Sequence, residues 1–292
     1  MIWGLAFVAQ SIGADYVGPF TFNAMRFFVG AVAIFALMPL LGKTEKSEGV
    51  EFKGTKKDLL IGGVLCGIAM TAATNLQQFA LAETSAGKAG FITALYIVIV
   101  PILEIFLKKK VPAKTWISVL LAVFGLYFLC ITDELKIGKS DFCIILCALI
   151  FAVHIMVIDH YSEKVSGVKL SFVQFTVAFI LSFICMLFTE KPSFEAIKAC
   201  LLSILYLGIF SSGIGYTLQI LAQRGSNPAV VSILLSLESV FSVLGGALIL
   251  HQTLTGREYL GCFLMLIAVI IVQIPLGNGD KSGKSEDKQV KV

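Results

Sequence analysis

The chain has 292 residues, of which 57% are hydrophobic and only 14% are charged, and its mean hydropathy is +0.90. Because a soluble protein typically carries about 25% charged residues, this composition excludes a soluble globular protein and indicates a polytopic protein of the lipid bilayer. The net charge is +4, but the basic residues lie mostly between apolar runs, where they are expected to set membrane topology. We therefore assign no nucleic-acid partner. The seven cysteines lie in or beside apolar segments, which argues against a disulfide framework.

Apolar segments predict ten membrane helices, at about 20 residues for each span. The first segment is short, since only fourteen residues precede Asp15, and we expect the native helix to begin upstream of Met1. A signal peptide is not expected, because no basic residue precedes Trp3. The fold class is thus all-α, with predicted helices at 1–14, 21–42, 59–79, 88–107, 114–131, 142–158, 170–189, 198–222, 229–250 and 257–276.

The basic residues indicate the orientation of these helices. With the amino terminus in the cytoplasm, sixteen of the 23 lysines and arginines lie in cytoplasmic loops or in the tail, and six lie on the opposite side. The positive-inside rule therefore predicts that both termini are cytoplasmic. The loops are short and contain no phosphate-binding glycine loop, so we expect facilitated or ion-coupled transport that uses no nucleotide and no other cofactor.

An internal repeat organises the chain. Shifting the sequence by 141 positions superposes Gly67 on Gly208 and Gln78 on Gln219, among seven identities that relate residues 67–107 to 208–248. Each half contributes five helices, an odd number, so the second half should enter the membrane from the opposite side as an inverted repeat. We predict a first repeat over residues 1–131, a second over 132–276, and a charged cytoplasmic tail over 277–292.

Each half also carries one polar stripe. The spacing i, i+4, i+7 places three side chains on one face of a helix near the middle of the membrane. In an inverted repeat, two such stripes are expected to line opposite halves of one substrate cavity. The stripes are Thr71, Asn75 and Gln78 in helix three, and Ser212, Tyr216 and Gln219 in helix eight.

Two charged residues lie inside predicted helices, where an unpaired charge costs about 2.5–3.5 kcal/mol. Glu238 lies ten residues into helix nine. It either lines the cavity, which we favour, or is a neutral, hydrogen-bonded carboxyl; in the cavity it could also bind a proton and couple transport to it. Arg26 lies about two turns from the outer end of helix two, where it either binds an anionic substrate or extends to the membrane surface.

Other residues are weaker candidates for the cavity. His154 and Gln10 are counterparts in helices six and one at a shift of 144, and each either faces the substrate or packs between helices. Tyr96 could contribute to an aromatic wall. Cys143 and Cys147 share a helix face with His154, but a structural zinc site takes four ligands, so we expect no metal.

Helices four and nine carry three local signals. Pro101 is expected to kink helix four, because proline removes a main-chain hydrogen bond. Glu104 precedes Lys108 by four residues, which favours a surface ion pair. Asn227 followed by Pro228 is typical of a cap and first turn, and it predicts the start of helix nine.

Four motifs follow one another along the chain: W-G at 3–4, P-F-T-F at 19–22 with Arg26 after it, G-S-N-P-A-V-V-S-I-L-L-S-L-E-S-V-F at 225–241, and H-Q-T-L-T-G-R-E-Y-L-G at 251–261. In order and spacing they resemble the EamA family of the drug/metabolite transporter superfamily. The resemblance implies a ten-helix inverted-repeat permease of the inner membrane that exports amino acids or other small metabolites. It also implies that helices five and ten are peripheral.

We therefore expect a secondary transporter or facilitator that moves a small polar or amphipathic metabolite, amino-acid-like and exported, by alternating access. Two other classes of protein stay open at this point. A membrane-embedded enzyme would need paired catalytic groups, which the sequence does not present. A non-transporting scaffold or sensor would tolerate leucine in place of the polar stripe residues.

Overall fold

The computed structural model describes residues 2–47, 52–84, 86–130, 138–241 and 255–274, and every regular element in these ranges is helical. The predicted tail, the second half of predicted helix nine and the motif residues 251–254 lie outside them. The α-helices are α1 Ile2–Ala14, α2 Pro19–Ser47, α3 Lys56–Leu81, α4 Ala86–Ala94, α5 Tyr96–Phe106, α6 Ala113–Cys130, α7 Lys139–Ser162, α8 Gly167–Thr189, α9 Phe194–Ala199, α10 Leu201–Tyr206, α11 Thr217–Gln223, α12 Pro228–Leu235 and α13 Gly256–Gln273, with a π-helix at Leu207–Tyr216 between α10 and α11.

Apolar helices long enough to cross a bilayer make this a polytopic membrane protein. At 1.5 Å per residue, the 13 residues of α1 span about 20 Å, which is less than the roughly 30 Å of a bilayer core. Seven described helices are at least 18 residues long and sufficiently apolar: Pro19–Lys43, Lys56–Leu81, Lys88–Phe106, Ser140–Ser162, Gly167–Thr189, Leu201–Gln223 and Gly256–Gln273. Three apolar helices are shorter: Ile2–Ala14, Ala113–Leu129 and Pro228–Phe241.

Polar contacts between helix ends fall into two groups, which define the two faces of the bundle. On face A, where α1, α3 and α8 end, Lys88 at the start of α4 pairs with Asp141 at the start of α7, with Nζ 2.7 Å from Oδ2. On face B, where α2, α5, α7 and α11 end, Lys109 pairs with Asp159, with Nζ 2.8 Å from Oδ2. The loop after the first helix of the first half therefore lies on face A, and the loop after the first helix of the second half lies on face B.

Glycines let the two halves approach closely at two crossings. A methyl group at Gly67 of α3 would lie 2.6 Å from the Val177 Cβ of α8, and one at Gly208 of the π-helix would lie 2.6 Å from the Val29 Cβ of α2. Gly67 and Gly208 are superposed by the 141-residue shift, so equivalent glycines meet equivalent partner helices. Small residues at helix crossings are the usual way in which membrane helices pack at short range.

Helices α2 and α8 lie side by side in opposite directions. A glutamate at the end of each helix therefore caps the start of the other. Glu190, just after α8, accepts hydrogen bonds at the start of α2 from the main-chain N–H of Phe20 (3.0 Å) and of Thr21 (2.8 Å). Glu45, near the end of α2, accepts one from the N–H of Gly167 at the start of α8 (2.9 Å). Each acid supplies acceptors and negative charge to N–H groups that have no partner within their own helix.

Both helix four and helix nine are interrupted at equivalent positions. Helix four divides at Leu95 into α4 and α5, and helix nine turns at residues 236–237 before it continues at 238–241. At both sites the chain closes a tighter turn, with Val98 donating to the carbonyl of Leu95 (2.9 Å) and Ser239 to that of Ser236 (3.2 Å). The kink expected at Pro101 stays a prediction, and α5 continues through this residue. Losing one main-chain hydrogen bond is not enough to end the helix there.

The end of α5 contacts the start of α12 on face B. The predicted cap of helix nine is confirmed, since Asn227 Oδ1 accepts from the Val230 N–H at 3.2 Å. The expected pair of Glu104 with Lys108 is not formed. Lys108 adopts a left-handed conformation (φ 60°) as the chain leaves α5, while Glu104 is buried and accepts a hydrogen bond from Asn227 Nδ2 at 3.1 Å.

The π-helix departs from the predicted continuous α-helix over 198–222. It spans ten residues, whereas most π segments are single turns that occur at functional sites. The segment contains glycines at close contacts: a methyl group at Gly215 would lie 2.9 Å from Trp3 Nε1, and one at Gly213 would lie 3.3 Å from the Ala33 Cβ. The segment therefore packs against both α1 and α2. Because a π-helix has more residues per turn than an α-helix, its side chains point in directions that the α-helical spacing does not predict.

Candidate functional site

A cavity of about 60 Å³ lies inside the bundle, beside the π-helix and the two helix interruptions. At roughly 10–15 Å³ for each water molecule, it has room for a few waters, so a larger solute requires the helices to move apart. None of its lining residues belongs to α6 or α13, which pack against each other. The lining residues are Trp3, Ala6, Phe7, Gln10, Arg26, Gln77, Thr93, Tyr96, Phe151, His154, Ile155, Ser211, Tyr216, Gln219, Leu235 and Glu238.

Arg26 brings a positive charge to the cavity. Its side chain is only 2% exposed, and its Nη1 donates to Gln10 Oε1 of α1 at 3.1 Å. Its Nε–H has no hydrogen-bond partner, and it forms no ion pair with any residue that the structure describes. A guanidinium always carries its charge, so Arg26 brings to the cavity a cation that has no ionic partner among the described residues.

Glu238 brings a carboxylate to the cavity from the other half. It directly follows the interruption of helix nine, while Tyr96 directly follows that of helix four. The carboxylate is half-buried, and within the described ranges it has no hydrogen bond and no ion pair. Helix interruptions in transporters turn polar groups toward a site near the middle of the membrane, and Glu238 and Tyr96 both line this cavity.

A second polar pair corresponds to Gln10 and Arg26. His154 of α7 contacts Gln174 of α8, with Nε2 2.8 Å from Oε1. Arg26 lies in α2, and its main-chain carbonyl faces Gly208. Gln174 lies in α8, and its main-chain carbonyl faces Gly67, the residue that corresponds to Gly208 in the repeat. The two pairs thus join equivalent helices, but only the pair in the first half contains a charge.

Aromatic rings form the wall between these polar groups. The centroid of the Tyr216 ring lies 4.8 Å from that of Trp3 and 6.2 Å from that of His154, while Phe175 packs behind it at 6.1 Å. Trp3 is held in place by a hydrogen bond from its Nε1 to the carbonyl of Ser211 in the π-helix (3.4 Å). The wall is therefore built by α1, α7 and the π-helix together.

The structure brings seven of the eleven predicted site residues to the cavity and places four elsewhere. Those at the cavity are Gln10, Arg26, Tyr96, His154, Tyr216, Gln219 and Glu238. Those elsewhere are Thr71, Asn75, Gln78 and Ser212.

Of the four residues away from the cavity, three lie at contacts between helices, and Thr71 is bonded within its own helix. Thr71 Oγ1 donates to the carbonyl of Gly67 in its own helix at 2.7 Å. Asn75 accepts from Asn23 Nδ2 (2.9 Å) and donates to Ser182 Oγ (3.2 Å), so it joins α2, α3 and α8. Ser212 packs against Gly30 of α2, and a methyl group added at Gly30 would lie 3.0 Å from the Ser212 Cβ. Gln78 Nε2 donates to the carbonyl of Gln10 at 2.8 Å.

Sequence reasoning missed several residues of the cavity. Gln77 lies one position from the predicted stripe, and its Nε2 donates to Thr93 Oγ1 of α4 at 3.1 Å. Because Gln77 is a polar residue in an apolar helix, the sequence could have indicated it as a candidate for the cavity. Trp3 and Ser211 gave no such signal, because tryptophan and serine are common in membrane helices for other reasons. Within the described ranges, no group of three or more His, Cys, Asp or Glu side chains is arranged to hold a metal ion.

Comparison with known proteins gives the family. The sequence profile of the EamA-like transporter family matches residues 1–131 and again residues 138–274. The chain belongs to this family. It is a multi-pass membrane protein of a transporter family, and this membership favours transport over catalysis.

Similar proteins carry the same general description. A protein of Archaeoglobus fulgidus named an uncharacterized transporter is 35% identical over 275 residues, which cover 94% of this chain and 83% of that protein. The uncharacterized transporter YoaV of Bacillus subtilis is 23% identical, covering 93% of this chain and 92% of its own. A solved crystal structure shares the fold, with a TM-score of 0.73 and 17% identity over 93% of this chain and 92% of that one.

Proposed function

We propose that this EamA-like protein is a secondary transporter for a small zwitterionic metabolite, amino-acid-like in its chemistry, which it exports by alternating access. One observation carries the proposal: a cavity within the membrane spans contains a cation, Arg26, and a carboxylate, Glu238, neither of which has an ionic partner among the described residues. Leaving such a charge unpaired costs about 2.5–3.5 kcal/mol on insertion scales. A bound ligand with both charges would offset the cost at both ends.

The arrangement of the two charges suggests how the ligand binds. The free Nε–H of Arg26 would donate to the ligand carboxylate, because a guanidinium and a carboxylate form strong, directional hydrogen bonds. Glu238 would accept from the ligand ammonium. Tyr216, between α1 and α7, would contact the middle of the ligand. In the absence of ligand, a proton on Glu238 would neutralise the second charge, so proton coupling is part of the proposal.

Alternating access requires two halves that move against each other, and we propose an inverted repeat of ten helices, with residues 1–131 and 132–276 as its halves. The two family matches support this division. The glycine crossings, the caps at Glu45 and Glu190, and the interruptions of helices four and nine support a two-fold relation between the halves. Face B carries the excess of basic residues, so we place it, both termini and the tail 277–292 in the cytoplasm and the protein in the inner membrane.

The first test identifies the substrate. Metabolites are measured in the medium of cells with and without the protein, and we expect a zwitterionic compound to accumulate only when the protein is present. The compound is then loaded into proteoliposomes. Absence of transport of every accumulated compound by folded, correctly inserted protein would refute the proposal.

The second test assigns the site. Arg26→Gln and Glu238→Gln should each lower transport at least tenfold, because each removes one ionic contact of a desolvated ligand. Arg257→Gln and Glu163→Gln are the matched controls. Arg257 stacks on Tyr127 away from the cavity, with Cζ 5.1 Å from the ring centroid, and Glu163 is exposed in a loop. Equal losses in the controls would mean that charge anywhere in the protein, rather than in the cavity, sets the rate.

A further inference from the structure

Another hollow lies on face A, and we call it the vestibule. It has a volume of about 320 Å³, so it is larger than the cavity. It is bounded by the end of α1, the turn into α2 and the end of α3. Its lining residues are Ala14, Asp15, Tyr16, Val17, Gly18, Pro19, Gln78, Phe79, Ala82 and Glu83.

The charged groups that line the vestibule are all negative. Asp15 and Glu83 are exposed carboxylates, and none of the ten lining residues is basic. The Glu83 Oε2 accepts a hydrogen bond from Ser140, which leaves Oε1 available. Asp15 has no side-chain partner within the described ranges. The hollow therefore attracts cations and repels anions.

Gln78 adds an acceptor that has no partner. This residue is only 1% exposed, and its Oε1 is buried without a hydrogen bond. An unsatisfied buried acceptor costs about 1–3 kcal/mol, and the other end of the same amide is already used, since Nε2 donates to the carbonyl of Gln10 (2.8 Å). A donor that enters from the vestibule would satisfy the oxygen.

Gln78 also separates the vestibule from the cavity. Gln78 lines the vestibule and not the cavity, while Gln10 lines the cavity and not the vestibule. Gln78 Nε2 donates to the main-chain carbonyl of Gln10, so this hydrogen bond joins a residue of each hollow, and Gln10 Oε1 in turn accepts from Arg26. A solute that leaves the cavity toward face A would therefore meet Gln78 first, and then Asp15 and Glu83.

We propose that the vestibule is a second binding site, which takes the ammonium group of the transported molecule between Asp15, Glu83 and Gln78 Oε1. This proposal rests on the proposed transport of a zwitterion through the cavity. The site is exposed and lacks a cationic group, so it binds weakly and by charge. It receives the ligand after the carboxylate has left Arg26.

The test measures binding of n-butylammonium to the full chain in lipid nanodiscs by saturation-transfer NMR, which suits weak ligands. We expect Asp15→Asn with Glu83→Gln to weaken binding about fivefold, as for two exposed charges. Binding should also weaken as salt is raised. Glu195→Gln, an exposed carboxylate near face A outside the vestibule, is the control and should leave binding unchanged.

Further arms separate this proposal from its alternatives. Glu238→Gln should retain the vestibule signal, because Glu238 lies in the cavity. Butyrate, which the proposed cavity site would bind at Arg26, should give a signal that the double substitution leaves unchanged, and NaCl should compete with n-butylammonium only at the level of its ionic strength. An unchanged affinity for n-butylammonium after the double substitution overturns the proposal. So does Na⁺ competition far above the effect of ionic strength, which would indicate a sodium site only. Transport is measured separately in proteoliposomes: transport that persists without n-butylammonium binding refutes the vestibule site alone, and binding without any transport refutes the proposed function.

Discussion

At the scale of single residues, some buried polar side chains of this protein join neighbouring helices and others line the cavity. Their hydrogen-bond partners distinguish the two groups. Asn75 has partners on two neighbouring helices, so its amide holds α2, α3 and α8 together. Gln219 lines the cavity and has no side-chain partner within the described ranges. Gln219 is therefore distinguished from Asn75 by its place at the cavity and by its lack of a partner among the described residues, and not by polarity alone.

Replacement by leucine should therefore affect stability at Asn75 and transport at Gln219. Asn75→Leu should lower stability by about 1–2 kcal/mol, because it removes two interhelical hydrogen bonds and leaves Asn23 without its acceptor. Gln219→Leu should leave stability nearly unchanged but lower transport severalfold, because it removes a polar group from the cavity wall. Unfolding of purified protein in detergent measures the first effect, and uptake by proteoliposomes measures the second. Loss of transport at unchanged stability for Asn75→Leu would contradict the assignment.

The sequence was enough to find the candidates of this site but not to choose among them. The composition and the 141-residue shift identified helices three and eight, and the cost of buried charge identified Arg26 and Glu238. The choice between Gln77 and Gln78 depends on which helix packs against α3, which periodicity along α3 does not contain. Ser212 and Tyr216 were expected on one face, but their segment is a π-helix, and the assumed α-helical spacing does not apply there.

At the scale of elements, the two halves differ in the contacts at the ends of their helices. Glu45 and Glu190 are corresponding caps on opposite faces, but among the described residues only Glu45 is paired with a cation: Arg224 Nη2 lies 2.7 Å from Glu45 Oε1. The Arg224 Nε also donates to the carbonyl of Ser162 at 3.0 Å, so the pair joins α2, α7 and α11. Face B is thus held by a largely buried ion pair at a place where face A has a cap alone.

Glutamine substitution at these two caps should therefore have unequal effects. Glu190→Gln loses the charge at a helix start and one of the two acceptor oxygens that Phe20 and Thr21 use, which together cost about 1–2 kcal/mol. Glu45→Gln also leaves Arg224 without its carboxylate, which we expect to cost about 3 kcal/mol, at the lower end for a broken buried pair. Adding Arg224→Gln to Glu45→Gln should restore part of the loss, since the uncompensated charge is gone. Unfolding midpoints of the four proteins measure these effects, and equal losses at Glu45 and Glu190 would show that the ion pair contributes nothing.

At the scale of the whole molecule, the proposed alternating access requires the two halves to be inserted in opposite directions. The contacts at helix ends sort every joined loop onto one of two faces, and the first loops of the two halves fall on different faces. If both halves were inserted in the same direction, these loops would share a face. The Glu45 and Glu190 caps could then not exist together, because α2 and α8 would be parallel.

Two single cysteines test this arrangement in living cells. Asp15 directly follows α1 and Glu163 directly follows α7, and both are exposed, so they are matched positions in the two halves. After the seven native cysteines are replaced, a membrane-impermeant maleimide added to intact cells should label Asp15→Cys and not Glu163→Cys. In inside-out vesicles the same reagent should label Glu163→Cys and not Asp15→Cys. Labelling of both cysteines from one side would refute the inverted insertion, and without it the cavity could not open alternately to the two faces.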